Sequence, residues 1–242
     1  MKVLIVVLAC FALAYGQSPA KALENTINGL KEQMPCGFPD MGIPSLAPLK
    51  VDFFDLYHKL WIIKIYGDIK NAVISGLNDF SVDDVTMNVL TLKAGLSLGF
   101  RSINIQGNLS LQSWIVSFLK IKSSGNLNMT LENLRISVAV RFGMVDGVMK
   151  LMDFTPTVDL GKIEFKSTGF VIGKLTMKIV NSIAQKVVMN LFNDHKDAIE
   201  ETAQAIVMPA ANDFLKDMTI SDLLQLLTGP KEPSEPCIPP AA

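Results

Sequence analysis

An α+β domain, with a long, highly curved antiparallel β-sheet wrapped around a long C-terminal α-helix, is predicted by where the hydrophobic period changes along the chain. Near the start, Leu23, Ile27, Leu30 and Met34 recur every three or four residues, which makes one apolar helix face. Between about Leu60 and Phe170 the period falls to two. After Gly173 it returns to helix, with Leu175, Ile179, Ile183, Val187 and Leu191 on one ridge flanked by Val180, Ala184 and Val188. Helix, a run of strands, then helix is the segregated order of an α+β domain rather than the alternation of an α/β one.

Taken in order, the chain opens with Lys2, the apolar run Val3 to Leu13 and the small-residue site Ala14-Tyr15-Gly16, which reads as a signal peptide over residues 1–16. The run is shorter than the ~20 residues needed to span a bilayer. The mature chain is therefore expected to be secreted and extracellular, with no transmembrane segment. Residues 17–229 are expected to form a single domain, because no Gly/Ser or Pro linker divides them, and residues 230–242 a Pro-rich tail. The first helix, from about Ala20, is halted by Pro35, and Pro35 to Leu49 reads as an extended, proline-punctuated strap.

In the strand region Leu96, Leu98 and Phe100 alternate with small or polar residues, Ile103 and Ile105 take the opposite parity, and Leu134, Ile136, Val138, Val140 and Phe142 form the longest alternation. The slips of parity near Leu90 and Arg101 predict bulges or tight crossings in long, coiled strands. Turn signals at Gly76-Leu77-Asn78-Asp79, Gly107-Asn108, Ser123-Ser124-Gly125-Asn126, Asp146-Gly147 and Thr155-Pro156 predict a meander. A second C-terminal helical run, Ile199, Ala203, Ile206, Ala210 and Phe214, is expected to bend or break at Pro209 and to continue the first as one long, bent helix. Thr219 with Asp222 three residues on frames a last short helix, stopped by Gly229-Pro230.

The chemistry is as informative for what it excludes. Net charge is −1 over the full 242 residues, and Lys and Arg are scattered, so the electrostatic footprint of a nucleic-acid binder is missing. His58 and His195 have no metal-pair spacing, and no nucleophile, metalloprotease or phosphate-loop motif occurs, so no catalytic residue, metal or cofactor is expected. Asp83-Asp84 and Glu200-Glu201 are sequence neighbours, which point to different sides and read as solvated charges. Cys10 leaves with the signal, so Cys36 and Cys237 remain; in an oxidising compartment they suggest one disulfide tying the tail to the start of the domain, the alternative being two unpaired thiols. Asn108-Leu109-Ser110 and Asn128-Met129-Thr130 are glycan acceptor triplets, with Asn108 beside a turn and Asn128 half buried.

The segment Cys36-Gly37-Phe38-Pro39-Asp40-Met41-Gly42-Ile43-Pro44-Ser45-Leu46-Ala47-Pro48-Leu49 resembles the stretch that follows the first helix in the insect haemolymph juvenile hormone-binding and takeout-like family, as does Ile74-Ser75-Gly76-Leu77-Asn78-Asp79-Phe80. The resemblance implies a tubular lipid-binding fold, shared in outline with mite group 7 allergens, and an extracellular carrier of terpenoids, fatty acyl chains or similar lipids. The family's paired cysteines in or before the first helix are missing, which leaves the mouth of the tunnel open to a different construction.

A sheet wrapped around a helix leaves a gap along their contact line, and a gap not filled by large side chains is a tunnel. Its expected lining is Leu96, Leu98, Phe100, Ile136, Val138, Val140 and Phe142 on the strands, facing Ile179, Ile183, Val187 and Leu191 on the helix. Met144, Met149, Met152, Met177 and Met189 supply adaptable thioethers. The partner expected is a small hydrophobic ligand, with a cell-surface receptor or lipid surface beyond it. The rival readings are a recognition module for microbial or membrane lipids and a structural secreted protein with a filled interior.

Overall fold

A computed structural model describes residues 18–38, 43–59, 63–115, 119–168, 177–228 and Cys237. The expected signal peptide over residues 1–16, most of residues 230–242, Leu175 and the Gly229-Pro230 stop lie outside the described residues. The elements are α1 (Pro19–Gln33), β1 (Leu49–Lys59), β2 (Ile63–Ser75), β3 (Phe80–Asn88), β4 (Lys93–Ile115), β5 (Leu119–Val145), β6 (Val148–Thr168), α2 (Met177–Asp194), α3 (Lys196–Leu215) and α4 (Ile220–Thr228). The order helix, strands, helices is the predicted one; β1 begins inside what reads as the strap.

The six strands form a single antiparallel sheet in the order β1-β2-β4-β5-β6, with β3 also paired to β4. This corrects the simple meander. β4 is 23 residues long and carries two partners along one edge, β3 beside Lys93 to Phe100 and β2 beside Asn104 to Ile115. Asp146 (φ 53°) and Gly147 (φ 81°) make the predicted tight turn, and Gly76 (φ 90°) the one before β3. Gly107-Asn108, Ser123 to Asn126 and Thr155-Pro156 are not turns: all three lie inside strands. Gly107 is small because the neighbouring strand presses on it. A Cβ there would sit 2.9 Å from Ile69 Cγ2 and 3.2 Å from the Lys70 carbonyl oxygen, where β2 bulges at Asn71 (φ 51°).

The parity slip near Arg101 is part of a seam that crosses the sheet. On β4 the buried residues step from Phe100 to Ile103, and on β5 the packed residues step from Leu134 to Leu131 around Asn133 (φ 54°). On β6 they step from Leu160 to Ile163, with Gly161 and Lys162 both outward. Two consecutive outward residues in three adjacent strands keep one apolar side while the strands coil.

The free edge of β6 is closed by helix side chains. Leu151 N–H donates to Asn212 Oδ1 at 2.7 Å, Val158 N–H to Glu200 Oε1 at 3.0 Å and Ser167 N–H to Asn181 Oδ1 at 3.1 Å. Glu200 is thus an edge cap rather than a solvated charge. An unpaired strand edge is a template for aggregation. Asn212→Ala leaves the buried Leu151 donor without its partner and is expected to cost about 1–3 kcal/mol in urea denaturation. An Asn212→Ala protein as stable as the parent would show that water replaces the amide.

The C-terminal helices also differ from expectation in two ways. The interruption falls at His195, which separates α2 from α3 at the N-cap position without a capping side-chain bond, while α3 runs through Pro209. The buried face of α3 is Ala203, Val207, Met208, Ala211 and Leu215, whereas Ile199, Ile206 and Phe214 are exposed. Apolar residues ring this helix, so period alone chose the wrong ridge. The last helix starts as predicted: Thr219 N–H donates to Asp222 Oδ2 at 2.9 Å and Asp222 N–H to Thr219 Oγ1 at 3.2 Å.

The first and last helices meet. α1, capped by Ser18 Oγ on Lys21 N–H, packs on β3 and touches α4. After it the chain turns back sharply, with Leu46 N–H donating to the Met34 carbonyl at 2.8 Å. Gly37 (φ 74°) is needed here, since a Cβ would lie 2.4 Å from Pro44 backbone atoms. Cys36 is bonded to Cys237 across a sequence separation of 201, their Cα atoms 5.9 Å apart. The bridge suggested by the two mature thiols is present.

Candidate ligand-binding face

The predicted strand residues lie on one side of the sheet. Leu96 pairs with Val138, Leu98 with Ile136 and Phe100 with Leu134 across β4 and β5. Beyond the seam the same side continues through Ile103, Leu131 and Ile163, then Ile105, Met129 and Phe165. One apolar surface therefore runs along most of the length of β4, β5 and β6.

Different helices pack on different parts of that surface. In its middle, Leu23 and Ile27 of α1 pack with Phe80, Phe100, Ile103 and Leu134, against which Leu96, Leu98 and Ile136 rest. Towards the β5–β6 turn, Leu215 of α3 and Leu223 of α4 pack with Met149, Leu151 and Phe154, against which Val138, Val140 and Phe142 rest. Between α4 and the β3–β4 hairpin a gap of only about 10 Å³ remains, enough for no more than a water. A third cluster is made, among the described residues, of Leu109 and Leu127 with Ile69, Met129 and Phe165. The predicted helix partners Ile179, Ile183, Val187 and Leu191 are in α2, which lies along β6 and is pinned to its end by Asn181, whose Oδ1 accepts from Ser167 N–H and Oγ. The side chains of those four residues lie outside what the structure describes.

Sequence reasoning missed the third cluster. Its signal is the alternation Leu127, Met129, Leu131, hidden because it is out of phase with Leu134 onward until Asn133 is recognised as a bulge. Of the methionines, Met149 is fully buried, whereas Met144 and Met152 are exposed.

The opposite side of the sheet is polar. An open groove of about 580 Å³ there is lined by Asp83, Asp84, Ser97, Arg135, Ser137, Thr155 and Thr157 among others. Asp83 and Asp84 do not point to different sides, as expected for strand neighbours. A register shift between Val82 and Asp84 turns both outward. The Ser81 hydroxyl donates to Asp83 Oδ1 at 2.6 Å and Arg135 Nε to Oδ2 at 3.2 Å; the hydroxyl above all, opposed by desolvation and helped by the guanidinium, holds the carboxyl below its usual range. Asn108 and Asn128 are both exposed on this polar side, within strands. Asn128 Oδ1 accepts from Asn104 Nδ2 at 2.7 Å.

Among the described residues, no helix is long and apolar enough to cross a membrane, and no three His, Cys, Asp or Glu side chains are grouped to hold a metal ion.

No curated protein sequence matches this chain significantly. Among solved structures, the fold is similar to Epiphyas postvittana Takeout 1, with a TM-score of 0.55 and 18% identity over 80% of this chain and 91% of that one. Lipopolysaccharide binding protein is matched at a TM-score of 0.35 with 16% identity, over 90% of this chain and 40% of that one, too low a score for the folds to be compared further. The sequence profile described as "Haemolymph juvenile hormone binding protein (JHBP)" matches residues 16–225, most of the chain. The chain belongs to the haemolymph juvenile hormone binding protein family.

Proposed function

We propose that this protein is a secreted, non-enzymatic carrier of a small hydrophobic molecule, of the terpenoid or fatty acyl kind, held against the apolar side of the sheet. The observation that carries this reading is one continuous apolar surface along β4, β5 and β6 with helices laid over it. α1, α3 and α4 pack onto its middle and one end, and the same side continues through the buried Leu109 and Leu127 with Ile69, Met129 and Phe165. Family membership points the same way, since the family's name is that of a hormone-binding protein. The guest is placed beyond the seam, between this cluster and α2, with the Leu96 to Phe142 set forming the closed end and its wall.

An apolar guest of ~15 carbons gains on the order of 0.8 kcal/mol per CH₂ removed from water, so enclosure supplies the affinity without any reacting group. The signal segment and the disulfide fit export, and both sequons are placed where a glycan would stand in solvent. The test is organic extraction and mass spectrometry of protein secreted from eukaryotic cells and purified without detergent. A stoichiometric lipid of one class is the expected result. No extractable lipid, together with no displacement of a fluorescent fatty-acid probe, would leave a structural protein with a filled interior.

A further inference from the structure

Helix α3 carries an apolar ridge that the fold of a single chain leaves in water. Ile199, Ile206 and Phe214 are 40%, 66% and 52% exposed, and Ala205, Pro209 and Ala210 beside them are exposed as well. At about 3.6 residues per turn and 1.5 Å per residue, Ile199, Ile206, Ala210 and Phe214 fall within about 80° of one another and extend over about 22 Å. The hydroxyl on this side is satisfied within the helix, Thr202 Oγ1 donating to the Ala198 carbonyl at 2.7 Å. A contiguous apolar patch of this kind marks a contact surface.

The ridge reads nearly the same in both directions. When a second α3 is laid antiparallel to the first, with a two-fold axis between positions 206 and 207, Ile199 comes level with Phe214 and Ala203 with Ala210. The two copies of Ile206 meet beside the axis. Large residues are thus level with large and small with small, and helices approach closely where alanines meet. The charges match as well: Asp197 comes level with Lys216, Lys196 with Asp217 and Glu201 with Asn212. Laid parallel, the same helices would set each acid beside its own copy.

We propose that α3 forms the contact of a symmetric dimer of this protein, two copies of the helix packing antiparallel along the ridge. A two-fold contact uses the same patch on both subunits, which a ridge with this internal symmetry supplies. The rim decides against an anionic bilayer as the occupant, since Asp197, Glu201, Asp213 and Asp217 are exposed along α3 and its end against Lys216 alone. One helix pair is small beside the roughly 1,200–2,000 Å² of a standard interface, so the dimer forms in the micromolar range. The inference is independent of the carrier reading, because Val207, Met208, Ala211 and Leu215 hold α3 on the sheet through its other side.

The test is sedimentation equilibrium of the protein recovered from secreting cells, over about 1–100 µM. A monomer–dimer equilibrium is expected. Ile206→Glu removes two apolar side chains at the axis, each worth about tenfold or more, and brings two carboxylates together, so association should weaken at least about a hundredfold. Because Ile206 is mostly in solvent, this variant should melt in urea with the parent. Introduced thiols test the geometry without that variant, since Cys36 and Cys237 are bonded to each other. Under mild oxidation Ile206→Cys should cross-link to its own copy, whereas Ile199→Cys should do so only when mixed with Phe214→Cys. A protein that stays monomeric at every concentration, whether or not phosphatidylcholine vesicles take it up, would overturn the proposal. So would a dimer indifferent to Ile206→Glu, or Ile199→Cys alone cross-linking as readily as Ile206→Cys.

Discussion

Replacing Cys36 or Cys237 by serine is expected to lower the stability of this protein by about 2–5 kcal/mol, a substantial part of the roughly 5–15 kcal/mol that holds a domain together. The bridge joins the residue just beyond α1 to the tail, 201 positions away. In the unfolded chain it closes a loop of that length, which by loop-closure entropy is worth about 5 kcal/mol. In the folded chain it fastens α1, and α1 supplies Leu23 and Ile27 to the cluster around Phe100. For a domain of this size each kcal/mol shifts Tm by roughly 2–4 °C, so a fall of some 5–20 °C should be seen by calorimetry. The double variant Cys36→Ser/Cys237→Ser should lose no more than either single one, because each alone already opens the loop. Losses that add would mean the two thiols act through separate packing, and the cross-link would not be the cause. Hydrogen exchange should report α1 amides as the first to lose protection.

Much of this was legible in the sequence, and the rest failed for identifiable physical reasons. Periods of 3.6 and 2 located α1, the strands and the C-terminal helices because each buries one side against a single sheet. The disulfide was legible because only two thiols remain once residues 1–16 are read as a signal peptide, both outside the expected core. Turns were misplaced where residues that end strands elsewhere do another job. Pro156 lies in β6, whose only strand partner among the described residues is β5. Val158, two residues on, sends its N–H away from β5 to Glu200, so the donor that Pro156 lacks faces the same free edge. Gly107 is tightly approached by β2, a contact far away in sequence. Asp83 and Asp84 were assigned to opposite sides because a bulge cannot be seen without the partner strand. Among the candidate lining residues, their shared side was readable from parity, but which helix would lie on each part of it was not. That depends on how α1 is tied down and on the rotation of α3, whose apolar residues lie all around it.

Phe100→Ala should separate wall from cargo space. Phe100 is 7% exposed, its ring is tilted at 57° to that of Phe80 with centroids 5.8 Å apart, and Leu134 stands opposite it on β5. Removing such a ring from a filled cluster costs about 3–5 kcal/mol, from lost transfer energy and from the cavity that neighbours only partly close. Because α1 already covers this part of the apolar side, the folded variant is expected to bind a fluorescent fatty-acid probe within about twofold of the parent. Met129→Trp should behave in the opposite way. It enlarges a side chain in the Leu109–Leu127 cluster beyond the seam, at a stability cost of about 1–3 kcal/mol, and should weaken the probe more than tenfold by occupying its space. Each variant is first melted in urea so that binding is measured on folded protein alone. If Phe100→Ala abolishes binding while Met129→Trp leaves it intact, the guest lies under α1 and not beside α2. The lining set from Leu96 to Phe142 would then touch cargo directly, and the Leu109–Leu127 cluster would be plain core.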